Sequence, residues 1–413
     1  TPATLAGTYG TFTFNTTTGA WTYAANNAQS AIQSLGAGQS LTDSITVKSA
    51  DGTASQVISV TINGANDGAT IGGTATGTVV EAGGVANAIA GTPNASGTVT
   101  VSDADAGQSS FQAVAPASLN GTYGTFSFNA ATGAWTYALD NSKAATQALT
   151  NGQIVHDTLT VTSLDGTATK AIDVTVTGAN DTAAITGTAT GTMTEDVAVT
   201  GGNLTASGSL AVTDVDSGEA VFATPATLAG SYGTFTFNTT TGAWTYAANN
   251  AQSAIQSLGA GQSLTDSITV KSADGTASQV ISVTINGAND GATVGGTATG
   301  TVVEAGGVAN AIAGTPNASG TVSVSDADAG QSVFQAVAPA SLNGTYGTFT
   351  FNAATGAWTY ALDNTKAATQ ALTNGQIVHD TLTVTSLDGT ATKAIDVTVT
   401  GANDTAAITG TAT

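Results

Sequence analysis

A long internal repeat constrains this chain more than any other feature of its sequence. Residues 1–190 align without a gap on residues 224–413, and only six positions differ. A shorter and more divergent repeat lies within this offset and is marked by Trp21, Trp135, Trp244 and Trp358. Their spacings of 114, 109 and 114 residues define a unit of about 111 residues, the size of a small domain. We therefore predict a tandem array in which two related types of unit alternate.

The pattern within each unit predicts an all-β fold. Apolar and aromatic residues alternate with polar ones, and the 51 glycines fall mostly between these runs. Such alternation is typical of strands with one buried face, and a unit of this size with several short strands is typical of an immunoglobulin-like sandwich. Aromatic residues such as Phe126, Phe128 and Trp135 are predicted to fill the space between the two sheets.

The motif Gly-Ala-Asn-Asp closes every unit and marks the predicted domain boundaries. It occurs at residues 64–67, 178–181, 287–290 and 401–404. With these motifs as ends, complete repeats are predicted at 68–181, 182–290 and 291–404. Residues 1–67 then form the rear part of a preceding repeat, and residues 405–413 form the first strand of a following one.

The repeat 68–181 serves to predict the order of elements. Its alternating runs and turn residues predict, in order, strands in 70–80, 97–102 and 111–114, a hairpin over 123–137, a short helical turn in 142–149, and two strands centred on Leu159 and Val174. The last of these strands runs into the Gly-Ala-Asn-Asp linker.

The composition limits the possible partners of the chain. It has no cysteine, no arginine and six lysines, against 23 aspartates and four glutamates, for a net charge of -21. Nucleic acid and anionic membranes are therefore poor partners, and no apolar run reaches the length of a membrane span. The excess of aspartate over glutamate favours turns and metal ligation, since both use short side chains with oxygen atoms.

Counting strand directions brings acidic residues of successive repeats together at each boundary. Six side chains are expected to meet between repeats 68–181 and 182–290, with Asp274 nearby: Glu81 and Asp157 from above, Asn180 and Asp181 from the linker, and Asp214 and Asp216 from below. The next boundary repeats the set as Glu195, Asp266, Asn289, Asp290, Asp326 and Asp328. The first boundary has Asp43, Asn66, Asp67, Asp103 and Asp105, and the last has Glu304, Asp380, Asn403 and Asp404.

This convergence predicts a calcium site at each boundary. Several carboxylates in one place repel each other, so a linker without bound cations is expected to be open and flexible. Ca²⁺ takes six to eight oxygen ligands and turns that repulsion into attraction. We therefore expect calcium-binding linkers that join the sandwiches into an elongated rod.

The acidic motifs resemble those of known calcium-binding repeats. Glutamate at the end of the first strand (VVEAGG, MTEDVA), two aspartates after the second (DADAG, DVDSG) and the linker Asn-Asp resemble the calcium joints of cadherins. The segments GTYGTFTFNTTTGAWTY and LTDSITVKSADGT resemble VCBS repeats of large bacterial RTX-type adhesins. The resemblance covers essentially the whole chain and implies a secreted or cell-surface protein, exported by a type I system, in which the repeats extend and display terminal binding domains.

The sequence predicts no enzyme and leaves two functions open. His156 and His379 occupy the same repeat position and are interpreted as strand-edge residues, and no cysteine or catalytic triad pattern is present. In the first function, the repeats are spacers of an adhesin whose binding domains lie elsewhere. In the second, they are structural subunits of an extracellular fibre, matrix or surface layer that assembles by itself, with strand donation between chains as one route.

Overall fold

A computed structural model describes residues 2–406 and Gly410 and confirms the prediction of an all-β chain of sandwich repeats. Most of the strand predicted at 405–413 lies outside the described residues. Residues 2–63 form β1 (Pro2–Ala6), β2 (Gly10–Asn15), β3 (Trp21–Ala25), α1 (Ser30–Gln33), β4 (Ser40–Lys48) and β5 (Ser55–Asn63).

The three following segments repeat one order of elements. Residues 70–177 form β6 (Thr70–Gly73), β7 (Thr76–Val80), β8 (Asn94–Ser102), β9 (Gly124–Phe128), β10 (Ala134–Leu139), α2 (Ala144–Gln147), β11 (Ile154–Thr162) and β12 (Thr169–Thr177). Residues 184–286 form β13 (Ala184–Gly187), β14 (Thr190–Thr194), β15 (Asn203–Thr213), β16 (Gly233–Phe237), β17 (Ala243–Asn249), α3 (Ser253–Gln256), β18 (Ser263–Lys271) and β19 (Ser278–Asn286). Residues 293–400 form β20 (Thr293–Gly296), β21 (Thr299–Val303), β22 (Asn317–Ser325), β23 (Gly347–Phe351), β24 (Ala357–Leu362), α4 (Ala367–Gln370), β25 (Ile377–Thr385) and β26 (Thr392–Thr400). Single 3₁₀ turns lie at Val85–Asn87, Pro116–Leu119, Val308–Asn310 and Pro339–Leu342.

Each of these segments builds two facing sheets. In the first, a four-stranded sheet has the order β6-β8-β10-β9 and a three-stranded sheet has the order β11-β12-β7. Strand β7 pairs with β12 in parallel, with Val80 opposite Thr177. Because parallel neighbours end on the same edge of a sheet, the residues after β7 and the linker after β12 leave the sandwich side by side.

The strand predicted over 70–80 is two strands in two different sheets. Gly73 interrupts it with a φ of 83°, a conformation that only glycine adopts without strain. A Cβ atom at this position would lie 2.5 Å from the carbonyl oxygen of Thr98, so the close approach of β8 also requires glycine. The chain therefore leaves the first sheet after β6 and joins the second as β7.

The predicted aromatic core is confirmed. Trp135 is 1% exposed and Phe126 is 2% exposed. The indole of Trp135 packs over Gly97, where a Cβ atom would lie 2.8 Å from the ring, and its Nε1 donates to the carbonyl of Thr74 at 2.8 Å. The hairpin and the single helical turn are also present, whereas the strand predicted at 111–114 is reduced to one bridge between Phe111 and Ser163.

The chain divides into two compact units whose limits cut across the sequence repeat. The first comprises the described residues up to Ala184 together with Val212–Val221 and Ser272–Ala277. The second comprises Ile185–Ala211, Phe222–Lys271 and the described residues from Ser278 onwards. The two loops that follow β15 and β18 thus belong to the same compact unit as the linker 178–181. None of the helices in the described residues is long and apolar enough to cross a membrane.

A buried aspartate fastens the hairpin of each repeat. Asp157 is 4% exposed, and its carboxylate accepts hydrogen bonds from the backbone N–H groups of Thr122, Tyr123 and Gly124 at 2.8, 2.9 and 3.1 Å. The hydroxyl of Tyr137 donates to the same carboxylate at 2.7 Å, and burial together with this bond raises the pKa of Tyr137. The equivalent aspartates make the same contacts: Asp43, Asp266 and Asp380.

This arrangement corrects part of the predicted ligand set. Asp43, Asp157, Asp266 and Asp380 were expected to reach the repeat boundaries as metal ligands. A carboxylate has about four lone-pair positions, and four donors from the same repeat already use this one. We therefore remove these four aspartates from the ligand set and assign them to the interior of their repeats.

Replacing Asp157 by alanine should selectively destabilise its repeat. The change leaves three N–H groups and a tyrosine hydroxyl without their acceptor, which costs about 3 kcal/mol or more. We expect the urea unfolding curve of Asp157→Ala, followed by tryptophan fluorescence, to show an additional transition at a lower urea concentration than the parent chain. This transition should have the same amplitude in calcium and in EDTA.

The matched control is Asp173→Ala, whose side chain is 42% exposed beside His156 and whose loss should cost less than about 1 kcal/mol. An unfolding curve of Asp157→Ala that coincides with that of this control would contradict the structural role.

Candidate metal centre

Glu81 holds the start of the linker 178–181. It follows β7 directly, so the parallel pairing with β12 places it beside the linker that follows β12. Its carboxylate is 1% exposed and accepts hydrogen bonds from the N–H of Ala179 at 3.2 Å and from the amide of Gln147 at 3.1 Å. Repeat 68–181 therefore binds the start of the linker through a buried carboxylate.

The end of the linker is held by the loop after β15. The N–H of Asp181 donates to Oδ2 of Asp216 at 2.9 Å, and the N–H of Asp216 donates to Oδ1 of Asp214 at 2.9 Å. Asp181 is 3% exposed and Asp216 is 2% exposed. Two buried carboxylates thus meet at this point, one from the linker and one from the loop of the following repeat.

The loop after β18 completes the arrangement. The amide nitrogen of Asn180 donates to Oδ2 of Asp274 at 3.2 Å. The hydroxyl of Thr276 donates to the same carboxylate and accepts the N–H of Ala183 at 3.0 Å. Every residue from Ala179 to Asp181 therefore bonds to an acidic side chain through its backbone or its amide.

Five buried carboxylate oxygens in this cluster find no hydrogen-bond donor in the protein. They are Oδ2 of Asp181, Oδ2 of Asp214, Oδ1 of Asp216, Oε2 of Glu219 and Oδ1 of Asp274. Buried polar atoms nearly always have a partner, and an unpaired buried charge is costly. One oxygen from each of three of these side chains lies within 4.8 Å of the others: Asp214, Glu219 and Asp274.

Burial and mutual repulsion leave their mark on the acidity of these groups. Desolvation, followed by the charges of Asp181 and Asp216, raises the pKa of Glu81 to about 7. Desolvation and the nearby charges of Asp216 and Asp214 raise the pKa of Asp181 to about 6. The pKa values of Asp216 and Glu219 are raised for the same two reasons. Asp274 differs, because hydrogen bonds from neighbouring side chains, among them Thr276 and Asn180, outweigh its desolvation and lower its pKa. Mutual repulsion is therefore concentrated on the other four carboxylates.

The donor set fits a hard divalent cation. All the orphaned atoms are carboxylate oxygens, and within the described part of the chain no lysine forms an ion pair with them. Ca²⁺ prefers several carboxylate and carbonyl oxygens, whereas zinc prefers nitrogen and sulfur ligands. The residues around linker 178–181 therefore suit calcium.

The linker 287–290 has the same construction. Glu195 is fully buried and accepts the N–H of Ala288 at 2.9 Å, while the N–H of Asp290 donates to Asp328 at 3.1 Å. Asn289 donates to Asp388 at 3.2 Å. The orphaned oxygens here are Oε2 of Glu195, Oδ2 of Asp290, Oδ2 of Asp326 and Oδ1 of Asp328.

The other two linkers share parts of this pattern. At 64–67, the N–H of Asp67 donates to Asp105 at 2.9 Å and Asn66 donates to Asp165 at 2.9 Å. Orphaned oxygens occur there on Asp103 and Asp105. At 401–404, Glu304 accepts the N–H of Ala402 at 3.1 Å, as Glu81 does for Ala179. The amide of Asn403 donates to the carbonyl of Asp404.

The sequence reasoning missed several acidic residues of these clusters. The predicted ligand set places Asp274 nearby but leaves it out, together with Asp165 and Asp388, although all three occupy the same turn before the last strand. It missed Glu219 altogether. The available signal was a difference between repeats, because the position three residues after the second aspartate holds glutamine in DADAGQ and glutamate in DVDSGE.

Comparison with known proteins agrees with this fold. Residues 180–287 match the sequence model of the bacterial cadherin-like domain. No curated protein matches the chain. The match therefore covers one repeat of the chain, and residues 70–177 and 293–400 form the same pair of four-stranded and three-stranded sheets as that repeat.

Several cadherin structures are similar to this chain at low sequence identity. The extracellular domain of protocadherin gammaB4 is 14% identical, with a TM-score of 0.42, covering 97% of this chain and 60% of its own. A protocadherin gammaB7 fragment of repeats 3–6 is 15% identical, with a TM-score of 0.38, covering 82% and 74%. Drosophila N-cadherin repeats 1–4 are 11% identical, with a TM-score of 0.30, covering 95% and 90%. This chain thus spans less than two thirds of the protocadherin gammaB4 chain.

Acidification should stabilise the calcium-free protein. A carboxyl group whose pKa is higher in the folded state than in the unfolded state opposes folding when ionised, so stability rises as pH falls through its folded pKa. The raised values at Glu81 and Asp181, about 7 and about 6, place this gain between about pH 8 and about pH 5. In EDTA, the melting temperature should therefore rise by several degrees across this range.

The matched variant is Glu81→Gln, which keeps the size of the side chain and removes one titrating group. It should show a smaller pH dependence than the parent chain in EDTA. A melting temperature that falls steadily from pH 8 to pH 5 in EDTA would contradict the crowded-carboxylate account.

Proposed function

We propose that this chain is a calcium-stiffened spacer of an extracellular adhesin, with cations held at the linkers between successive cadherin-like repeats. The proposed repeats are 68–181, 182–290 and 291–404, after the partial repeat 1–67. The proposed ligands are the acidic residues and linker residues that cluster at each boundary: Asn66, Asp67, Glu81, Asp103, Asp105, Asn180, Asp181, Glu195, Asp214, Asp216, Asn289, Asp290, Glu304, Asp326, Asp328, Asn403 and Asp404.

The observation that carries this proposal is the set of orphaned carboxylate oxygens. At linker 178–181, the carboxylates of Asp181, Asp214 and Asp216 each have a buried oxygen without a donor. The same condition recurs on Asp290 and Asp328 at linker 287–290. An aspartate that only forms a turn usually has hydrogen bonds from nearby N–H groups to its carboxylate oxygens. Carboxylate oxygens that lack such bonds at several linkers therefore favour a role as metal ligands.

Calcium would supply the positive charge that these clusters lack. The chain's own residues then fix the linker, because Glu81 belongs to the repeat before it and Asp216 to the repeat after it. Both bond directly to linker N–H groups, at Ala179 and Asp181. With the repulsion between them relieved, the two contacts limit the bending of the linker.

The proposed location follows from calcium concentration. Calcium modules of extracellular proteins bind at about 10⁻⁴ to 10⁻³ M, so sites of this kind fill outside a cell. Binding to the folded state alone also contributes to folding free energy. Export as an unfolded chain followed by calcium-coupled folding on a bacterial surface is consistent with both points.

The adhesin role rests on the domain type as well as on the site. Cadherin-like repeats are adhesion and structural domains, and one such domain is matched at 180–287. Neither clustered histidine nor cysteine accompanies the carboxylates among the described residues. The proposed partners are therefore calcium and the neighbouring repeats, and the adhesive contacts lie in other domains.

Calcium should lengthen the molecule, and removing one cluster should cancel part of that gain. We expect the maximum dimension from small-angle X-ray scattering to rise as calcium is added to the EDTA-treated chain. The double variant Asp214→Asn and Asp216→Asn keeps side-chain size but removes two charges, so it should show a smaller rise. The matched control, Asp140→Asn, changes an aspartate that bonds to Ser142 in its own repeat and should behave as the parent chain.

An unchanged scattering profile on calcium addition would refute the spacer proposal. Analytical ultracentrifugation at millimolar calcium separates it from the fibre alternative. A monodisperse elongated monomer supports the spacer, whereas polymers that grow with protein concentration would replace it with a self-assembling structural protein.

A further inference from the structure

One position distinguishes the linker clusters from one another. It lies in the loops that follow β8, β15 and β22, three residues after the second of the two aspartates in each loop. The position holds Gln108 at linker 64–67, Glu219 at linker 178–181 and Gln331 at linker 287–290. The acidic pair of this loop is equivalent in the three clusters, so this position is where the three loops differ in charge.

The glutamines cap a carboxylate. The amide nitrogen of Gln108 donates to Oδ2 of Asp105 at 3.4 Å, and that of Gln331 donates to Oδ2 of Asp328 at 3.0 Å. A glutamine is neutral and spends its donor on an oxygen that already accepts a linker N–H. These side chains therefore stabilise the loop and add no charge to the cluster.

Glu219 has the opposite character. Its side chain has no donor to offer the carboxylate of Asp216, and its own Oε2 is buried without a hydrogen-bond partner. This carboxylate has an oxygen within 4.8 Å of oxygens from Asp214 and Asp274. Beside it, Asp216 is 2% exposed and also has an unpartnered oxygen. Glu219 thus adds a further anionic ligand to a group that already lacks positive charge.

A residue of the preceding repeat that lies against this position also differs between the linkers. A Cβ atom on Gly36 would lie 2.6 Å from the amide nitrogen of Gln108, and one on Gly259 would lie 2.9 Å from that of Gln331. The equivalent residue at linker 178–181 is Thr150, whose N–H bonds to Gln153 as the N–H of Gly259 bonds to Gln262. The glutamines therefore occupy space that a threonine fills where Glu219 turns into the carboxylate group.

The linker 287–290 has a different extra carboxylate, which does not play the same part. Asp196 follows Glu195, and the repeats 68–181 and 291–404 have alanine at this position. Its Oδ1 accepts hydrogen bonds from Asn250 at 2.6 Å and Gln256 at 3.2 Å. Asp196 is exposed to solvent and its charge acts on Asp290. It therefore lies at the edge of the cluster, with two amides bonded to it, whereas Glu219 contributes a buried oxygen without a donor.

We infer that the chain has two classes of calcium-binding linker, and that Glu219 makes linker 178–181 the tighter class relative to 64–67 and 287–290. This inference rests on the proposed calcium function and adds an order of filling to it. Calcium affinity in oxygen-ligand sites rises with the number of charged ligands. As calcium falls, the glutamine linkers should therefore empty and loosen first, and the two repeats joined by linker 178–181 should stay coupled longest.

Calcium titration calorimetry on the 413-residue chain tests the inference. The parent chain should show two classes of site. The double variant Thr150→Gly and Glu219→Gln, which copies the pairs at the other two linkers, should weaken the tighter class by about tenfold. The converse variant, Gly259→Thr and Gln331→Glu, should convert sites of the weaker class into the tighter one.

Melting curves in EDTA show whether Glu219 acts only as a structural residue. Removing one of several mutually repelling charges should leave the calcium-free melting temperature of Glu219→Gln unchanged or higher. A lower calcium-free melting temperature, together with calcium affinities equal to those of the parent chain, would assign Glu219 a structural role and overturn the inference.

Failure of this inference is distinguishable from failure of the proposed function. Calcium binding by the parent chain that the Glu219 and Gln331 variants leave unaltered would refute the two classes alone. A parent chain that binds no calcium at millimolar concentration would refute the proposed function as well.

Discussion

Unpaired negative charge, buried where one repeat meets the next, is the constraint on which this structure depends. Each key carboxylate divides its two oxygens between two tasks. In Asp216, Oδ2 accepts the linker N–H of Asp181 while Oδ1 stays without a donor. In Glu195, one oxygen accepts the N–H of Ala288 and the other is orphaned. The hydrogen bonds fix the positions of the side chains, and the oxygens without donors are the ones available to bind a cation.

The same residue type serves two opposite purposes in every repeat. Asp157 lies among four donors of its own repeat and needs no further partner. Asp216 is equally buried, but its carboxylate accepts a hydrogen bond from one linker N–H only, and its other oxygen has no donor. The difference lies in which backbone N–H groups the fold turns towards each carboxylate. Stability within a repeat and the proposed binding of calcium at the linkers thus depend on separate aspartates.

Much of the fold could be predicted from sequence because local signals and burial agree. The alternating hairpin around Trp135 and the last two strands appear where period-two patterns place them. The split of the first strand could not be predicted, since it depends on the approach of the Thr98 carbonyl to Gly73. That contact is set by the pairing of β6 and β8, which an alternation pattern does not contain.

The candidate site was predictable in its outline and not in its membership. The linker Asn-Asp and the paired aspartates recur at each boundary, so the sequence places Asp181 and Asp216 together correctly. It could not separate Asp157 from the ligands, because an aspartate at a strand end has the same local signature in either role. Glu219 stands beside a glycine in an ordinary loop sequence, and its role depends on the fold bringing Asp274 from a different loop.

Anomalous diffraction from crystals grown in millimolar calcium, with terbium substituted to strengthen the signal, tests the central claim most directly. The account predicts anomalous peaks among the orphaned oxygens of Asp181, Asp214, Asp216 and Asp274, and equivalent peaks beside Asp290 and Asp328. Linkers that are ordered at full calcium without any such peak, with the carboxylates paired only to protein donors or water, would contradict it.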